Sequence, residues 1–325
     1  MKVLVLGGAG ELGSNFSKLC IDMGHEVTIV DLVRYFEAWR LQELAIADKV
    51  KYIWKSTLDL TRADLDTFTL ILDCACQADR PLGTSSPRHT LMENLLGPLT
   101  LLETIRDSLA LIAKPVIIYP SSSVEFLGVP KEEQPITEKT HPKPTNLYGL
   151  TKWMAEELYL TYYRTFGTRC MIIRTGSCYG PMMRTDQFVA QCIIKCLRNE
   201  DVIVKSPSAT RTYTYTGDVL EFYTLLLKRF EAEPDIFNGL IVDNGGNAEN
   251  KPYSTIEVAK VIQRLTDAKS NLHQVGYEPG ELVNGLPVYQ HEESVVAPEL
   301  LGWKPKYTLN EGLKETIEWF KKKEL

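Results

Sequence analysis

The sequence predicts an α/β fold, a doubly wound sheet of mostly parallel strands, and two observations carry that prediction. Short β-branched runs alternate with helical patterns through the first half of the chain, and a glycine-rich turn stands between the first run and the first helix. KVLVL (2–6), EVTIV (26–30), VKYIW (50–54), TLILD (69–73), PVIIY (115–119) and RCMIIR (169–174) read as six strands, being short and rich in β-branched residues. Between the first two, Leu12, Phe16, Leu19 and Met23 form one helical stripe and Gly24 supplies a stop. Longer helical patterns cover 89–108 and 145–166. Strand–helix alternation of this kind places parallel strands in one sheet with helices on both faces, a Rossmann-like arrangement.

After Gly180-Pro181 the rhythm loosens. Helices are expected over 186–198, 217–232 and 310–323, with a mixed stretch at 202–216 and a strand-like LIVDNGG. The expected division is a dinucleotide-binding domain over 1–180 and a smaller C-terminal α+β substrate lobe over 181–325, with segments around 212–250 able to return to the first.

The bulk numbers exclude several classes. A chain of 325 residues with 44% hydrophobic content can bury a large core, and its net charge of −6 argues against a nucleic-acid-binding surface. No basic run suggests a membrane patch, and no apolar stretch approaches the roughly 18 residues of a membrane span. The apolar part of MKVLVLGG is too short for a signal peptide, so a soluble, cytoplasmic protein is expected. The seven cysteines lack zinc-site spacing and read as buried, reduced thiols, and no metal site is expected.

GGAGELG begins at Gly7, directly after the first strand, and Gly7, Gly10 and Gly13 give G-x-x-G-x-x-G. Glycines permit the tight turn and let a pyrophosphate approach the free N–H groups of a helix amino terminus. Glu11 and Leu12 complete the expected contacts of this loop. Asp31 ends the second strand, where a carboxylate accepts both adenosine ribose hydroxyls and repels a 2′-phosphate; NAD is therefore expected over NADP, with Arg34 close enough to soften the preference. Asp59, followed by Leu60, suits the adenine amino group or a helix N-cap. Cys74, Ala75 and Cys76, after the fourth strand, are expected along the cofactor or in a plain strand-to-loop turn.

SSSVE (121–125) ends the fifth strand, and YGLTK begins at Tyr148. A phenol titrates near pH 10 and is a poor base at neutral pH. Lys152, one helical turn on, supplies a positive charge that favours the phenolate. Tyr148 can then take a proton from a sugar hydroxyl while Ser123 holds the same oxygen. The alternative is an accidental surface pair.

These residues resemble an extended short-chain dehydrogenase/reductase of the branch that modifies nucleotide sugars. GGAGELG, CACQA, ENLLGPLTLLE, SSSVEFLG, YGLTK, IIRTGSCYGP, RTYTYTGDV and ELLGWKPKYTLNEGL stand in that family's order over nearly the whole chain. The resemblance implies an NAD that is reduced and reoxidised within one turnover, a nucleotide-diphosphate sugar substrate, and a homodimer joined through the helices near 89–108 and 145–166. It makes Ser123, Tyr148 and Lys152 catalytic, gives Tyr148, Lys152 and Asn94 to the cofactor, and assigns Ser122, Ser123, Ser177 and Arg211 to the substrate. Arg211 matches the diphosphate arginine; its other reading is a surface ion pair.

Three departures bear on the substrate. Ser177, after Gly176, stands where an asparagine is usual, and Glu278 in EPGE replaces a second diphosphate-binding arginine. Glu125 matches the glutamate of the family's 4,6-dehydratases and uronate decarboxylases; as a strand-end residue it is expected to share the face of Ser123 and lie partly shielded at the pocket rim, the other reading being a solvated turn residue. The expected activity is a nucleotide-sugar 4-epimerase working through a 4-keto intermediate. The alternative is a dehydratase or decarboxylase using Glu125, and behind both stands a non-catalytic NAD-binding regulator.

Overall fold

The computed structural model describes residues 1–65, 67–106, 115–235 and 238–323. The six strands foreseen in the first half form, as β1 Lys2–Leu6, β2 Glu26–Asp31, β3 Lys51–Trp54, β4 Leu70–Asp73, β5 Val116–Ser122 and β6 Cys170–Thr175. Four shorter strands follow, β7 Ser177–Tyr179, β8 Val202–Val204, β9 Thr210–Arg211 and β10 Tyr213–Tyr215, and then β11 Leu240–Asp243. One sheet has the order β11-β6-β5-β4-β1-β2-β3, and the ladders joining β3, β2, β1, β4 and β5 are all parallel. All of β4 and the last four residues of β1 are buried, as strands covered on both faces must be. The order reverses between β1 and β4, so the loops leaving these two strands flank the crevice where such sheets take ligands.

The chain divides into two compact units. The first comprises 1–122, 147–174 and 223–242; the second comprises 123–146, 175–222 and 243–325. The strand formed by LIVD therefore lies mostly in the first unit, as the outer strand beside β6. In the first unit Leu4, Val30, Ile71, Leu101, Ile117, Tyr159 and Ile172 belong to one buried cluster. In the second, helices Phe188–Leu197, Thr255–Leu265 and Leu309–Lys322 pack Ile193, Val258, Ile262, Leu313 and Phe320 together. Ser254 and Thr308 each open their helix with a capping box, to Glu257 and Glu311.

Two local expectations are corrected. The helix expected over 89–108 is interrupted: Pro87–Leu91 is α-helical, Met92–Leu96 is a π-turn, and Gly97–Arg106 is α-helical again, with 107–108 outside the described residues. Pro98 has no N–H for the regular ladder, and its ring crowds the carbonyl four residues back, so the helix widens before it. The approach is also close at Gly97, where a Cβ would stand 2.7 Å from the Thr57 hydroxyl oxygen. The second correction concerns SSSVE. β5 ends at Ser122, and Ser123–Phe126 coil into a 3₁₀ turn, so the strand rule that puts Ser123 and Glu125 on one face does not apply.

Among the described residues no helix is long and apolar enough to cross a membrane, and no cluster of His, Cys, Asp and Glu is arranged for a metal ion. No disulfide joins the described cysteines; Cys20, Cys170, Cys192 and Cys196 are buried and Cys76 is exposed.

Candidate functional site

At the carboxyl ends of β1, β2 and β4 the first unit forms a cleft of about 340 Å³. Its floor is the glycine loop. Gly7 has φ +75°, and a Cβ there would lie 2.8 Å from the Ala75 backbone; a Cβ on Gly13 would lie 2.5 Å from the Gly7 carbonyl oxygen. Only glycine lets the two strand-end loops approach so closely. The loop's amides are held in place, with Gly10 N donating to Gly7 O at 3.1 Å and Ser14 N to Gly10 O at 3.0 Å. Asp31 forms a wall. Its Oδ2 accepts from Ala9 N and its Oδ1 from Val33 N, each at 2.9 Å. That carboxylate is oriented by backbone donors and faces the cleft, a donor-and-cradle set that fits an adenosine diphosphate with free ribose hydroxyls.

Of the residues expected at the cofactor, Gly7, Gly10, Asp31, Cys74, Ala75 and Cys76 line this cleft. Glu11, Leu12, Gly13, Asp59, Leu60, Asn94, Tyr148 and Lys152 do not. Asp59 is exposed at the end of the 3₁₀ turn Thr57–Asp59, whose N-cap is Ser56, while Leu60 is buried in the core. Thr57 and Lys55 line the cleft in their place, and Arg40, Gln77 and His89 join them. Periodicity gave no signal for these; each is brought in by a loop or short helix whose path only the packing decides. Arg34 is turned toward aromatic rings, its guanidinium carbon 5.6 Å from the Trp54 centroid and 6.0 Å from that of Phe36.

Asn94 acts one layer back. Its Oδ1 accepts from Gln77 N at 2.7 Å, and its Nδ2 donates to Gln77 O at 3.2 Å and Thr151 Oγ1 at 3.0 Å. The buried amide thus ties the loop after β4 to the helix carrying Tyr148 and Lys152, and the π-turn is what turns it inward.

That helix spans Leu147–Phe166. Tyr148 is half-buried in its first turn, and Lys152 lies one turn on, 2% exposed. Lys152 Nζ donates to Pro120 O at 2.6 Å and stands 4.1 Å from the Tyr119 ring centroid. Beneath it Asp73 is buried and accepts from the Tyr159 hydroxyl. Burial pushes the Asp73 carboxyl up to about 6, against the Tyr159 hydrogen bond and the Lys152 charge. Lys152 is thus a buried residue, while Tyr148 is half-buried.

In the second unit Ser123 is 1% and Glu125 0% exposed. Glu125 is therefore neither a rim residue nor a solvated turn residue; the 3₁₀ turn carries it inward, and its carbonyl accepts from Lys143 N at 2.9 Å. Ser122, the last residue of β5, is half-buried, and so is Ser177, which opens β7 opposite Tyr213. Arg211 is 11% exposed and donates through Nη2 to both oxygens of Glu281, which is 3% exposed. Glu278 pairs instead with Lys205, at 2.6 Å on the surface. The sequence reading missed the Arg211–Glu281 pair, although Glu281 stands three residues after Glu278 in the same EPGE stretch.

The family model described as NAD dependent epimerase/dehydratase family matches residues 3–238. A UDP-glucuronate 4-epimerase of Thermodesulfobacterium geofontis is 25% identical over 333 residues, covering 98% of this chain and 95% of that protein. UDP-glucuronic acid decarboxylase 5 of Arabidopsis thaliana is 27% identical over 334 residues, covering 96% and 87%. Among solved structures, the UDP-glucuronic acid 4-epimerase of Bacillus cereus, in complex with UDP-glucuronic acid and NAD, aligns with a TM-score of 0.85 over 99% of both chains at 21% identity, a likeness of fold.

Proposed function

The chain belongs to the NAD-dependent epimerase/dehydratase family, and on that premise we propose that it is a nucleotide-sugar 4-epimerase acting through a 4-keto intermediate. The observation that carries the reading is Lys152, buried on the Pro120 carbonyl one helical turn from Tyr148. In this reading the glycine loop, Asp31 and the Cys74–Cys76 stretch hold NAD, which when bound supplies and recovers the hydride. Tyr148 takes the proton of the sugar's 4-hydroxyl and later returns it, Lys152 keeps the phenolate accessible near neutral pH, and Ser123 hydrogen-bonds the reacting oxygen. Arg211 serves the diphosphate of the substrate.

A second reading has its own observation. Glu125, two residues after Ser123, is withdrawn from solvent, where a carboxylate can act as a base on the acidic C5 proton of a 4-keto sugar. Removal of that proton with departure of the C6 hydroxyl would end in loss of water; in a 4-keto uronate the C5–C6 bond would break instead to release CO₂, and C5 would then take up a proton. We also propose a homodimer through the two helices near 89–106 and 147–166, supported by Met92, Leu96 and Met154, which are 37%, 45% and 42% exposed.

The test is incubation with UDP-, GDP-, CDP- and dTDP-sugars, including uronates, followed by mass spectrometry and NMR. An unchanged mass with altered ring couplings is the expected result. Loss of 4-epimerisation with release of water or CO₂ supports the second reading, and Glu125→Gln should then cost about 10²-fold or more in turnover. No turnover of any nucleotide sugar by protein that binds NAD would overturn both.

A further inference from the structure

Residues 288–292 alternate between interior and surface, but two of the three interior positions are polar. Val288, Gln290 and Glu292 are 2%, 0% and 0% exposed, whereas Tyr289 and His291 are half-buried and Glu293 is exposed. Backbone bonds pin the segment on both edges. Gln290 N donates to Thr210 O at 3.0 Å and Glu292 N to Thr212 Oγ1 at 3.0 Å; on the other side Ile136 N donates to His291 O at 2.7 Å. In an extended chain residues i and i+2 share a face, so Gln290 and Glu292 enter the interior of the second unit together.

What they meet there is Ser123. Gln290 Nε2 donates to the Ser123 carbonyl oxygen at 2.5 Å. The Ser123 hydroxyl lies beside the Glu292 carboxyl. Both Glu292 oxygens and Ser123 Oγ are buried, and none of the three has a hydrogen-bond partner of ordinary geometry among the described residues. Two glycines make the room: a Cβ on Gly176 would stand 2.5 Å, and one on Gly245 2.0 Å, from Glu292 Oε2. Gly176 directly precedes Ser177, which opens β7.

We propose that Glu292 is a positioning residue for Ser123: it is held as a neutral carboxylic acid that donates its proton to Ser123 Oγ, leaving the serine's own proton directed at the substrate oxygen. The proposal rests on the role given to Ser123 above. A sugar oxygen that is losing its proton to become a ketone presents lone pairs and needs donors. An ionised Glu292 would draw the serine proton toward itself and leave Ser123 able only to accept.

The surroundings favour the neutral acid. Burial first, and then the Asp243 carboxylate, push Glu292 well above the usual carboxyl range, while the Ser123 hydroxyl and the Arg211 charge pull the other way. Arg211 is already engaged by Glu281. Asp243 Oδ1 accepts from Gly245 N at 2.7 Å, and Asp243 N donates at 3.0 Å to Glu138, a third carboxylate. Asp243 thus acts on Glu292 while the guanidinium of Arg211 is already paired, and a carboxyl so buried keeps its proton.

The experiment uses the whole protein and compares wild type with Glu292→Gln, Asp243→Asn and Ser123→Ala. Infrared difference spectra across a pH titration read the C=O stretch of a protonated carboxyl without requiring turnover. The wild type should carry that band at neutral pH and Glu292→Gln should lack it. Asp243→Asn should move its titration about one pH unit or more lower, and Ser123→Ala should shift its frequency. Where turnover is measurable, kcat should fall on the alkaline side in the wild type, earlier in Asp243→Asn, and without that limb in Glu292→Gln, which keeps an N–H donor. A neutral-pH spectrum with no protonated carboxyl assignable to Glu292 overturns the proposal, as does a band indifferent to Ser123→Ala. Absence of turnover with the band and its Ser123 dependence intact would count against the epimerase reading alone.

Discussion

Lys152 Nζ donates to the Pro120 carbonyl at 2.6 Å, joining the helix that carries Tyr148 to the strand whose next turn begins with Ser123. The ammonium is fixed rather than free to swing, because it is also seated 4.1 Å from the Tyr119 ring centroid and almost sealed from water. Lys152→Met keeps the length of the stem and removes the charge. Turnover should fall about 10²-fold or more, and Tyr148→Phe should fall at least as far, with NAD affinity within a few-fold of wild type for the latter. Steady-state kinetics with isothermal titration checks both. Turnover retained in Tyr148→Phe would sink the assignment.

Asp73 beneath Lys152 makes stability depend on pH. Its carboxyl rises from 3.8 to about 6 on folding, so the folded chain binds that proton more tightly than the unfolded one. The contribution is therefore most favourable below about pH 4 and is lost as pH rises through about 6, by at most about 3 kcal/mol. Asp73→Asn can still accept from Tyr159 and does not titrate. Relative to it, wild-type Tm without cofactor should decline between pH 4 and 7. Parallel curves for the two proteins would refute the assignment.

Asp31 accepts from two backbone amides and faces the cleft, so in the proposed reading it shapes the loop as well as recognising ribose. Asp31→Ala should weaken NAD at least roughly tenfold, the scale of a lost charged hydrogen bond, and weaken NADP much less. Equal losses measured by titration calorimetry would mean that Asp31 does not contact the ribose.

Arg211 and Glu281 form a nearly buried pair, so single and double variants should not be additive. Arg211→Ala strands the Glu281 carboxylate and should cost about 3–5 kcal/mol, whereas Arg211→Ala with Glu281→Gln should recover much of that. Both variants should raise KM for the nucleotide sugar. Thermal melts with kinetics separate the two effects, and an unchanged KM in the double variant would remove Arg211 from the substrate site.

The order of strands and helices was legible because it rests on short-range patterning: β-branched runs such as KVLVL and LILD can bury both faces only inside a parallel sheet, and the glycine loop announces a close approach that no other residue tolerates. The Tyr148–Lys152 spacing was legible for the same reason, since one helical turn places both on one face. What only the tertiary structure decided depends on contacts between segments distant in the chain. Whether Glu125 was exposed turned on a 3₁₀ turn that strand alternation did not predict. Lys152 owes its fixed position to a carbonyl 32 residues away, and Arg211 its partner to a glutamate 70 residues away. Glu292 reads in sequence as one charge among others in HEESVV, yet glycines at 176 and 245 give its carboxyl a buried place beside Ser123. A carboxyl's environment, and hence its proton, is set by what surrounds it in space, and local sequence does not carry that information.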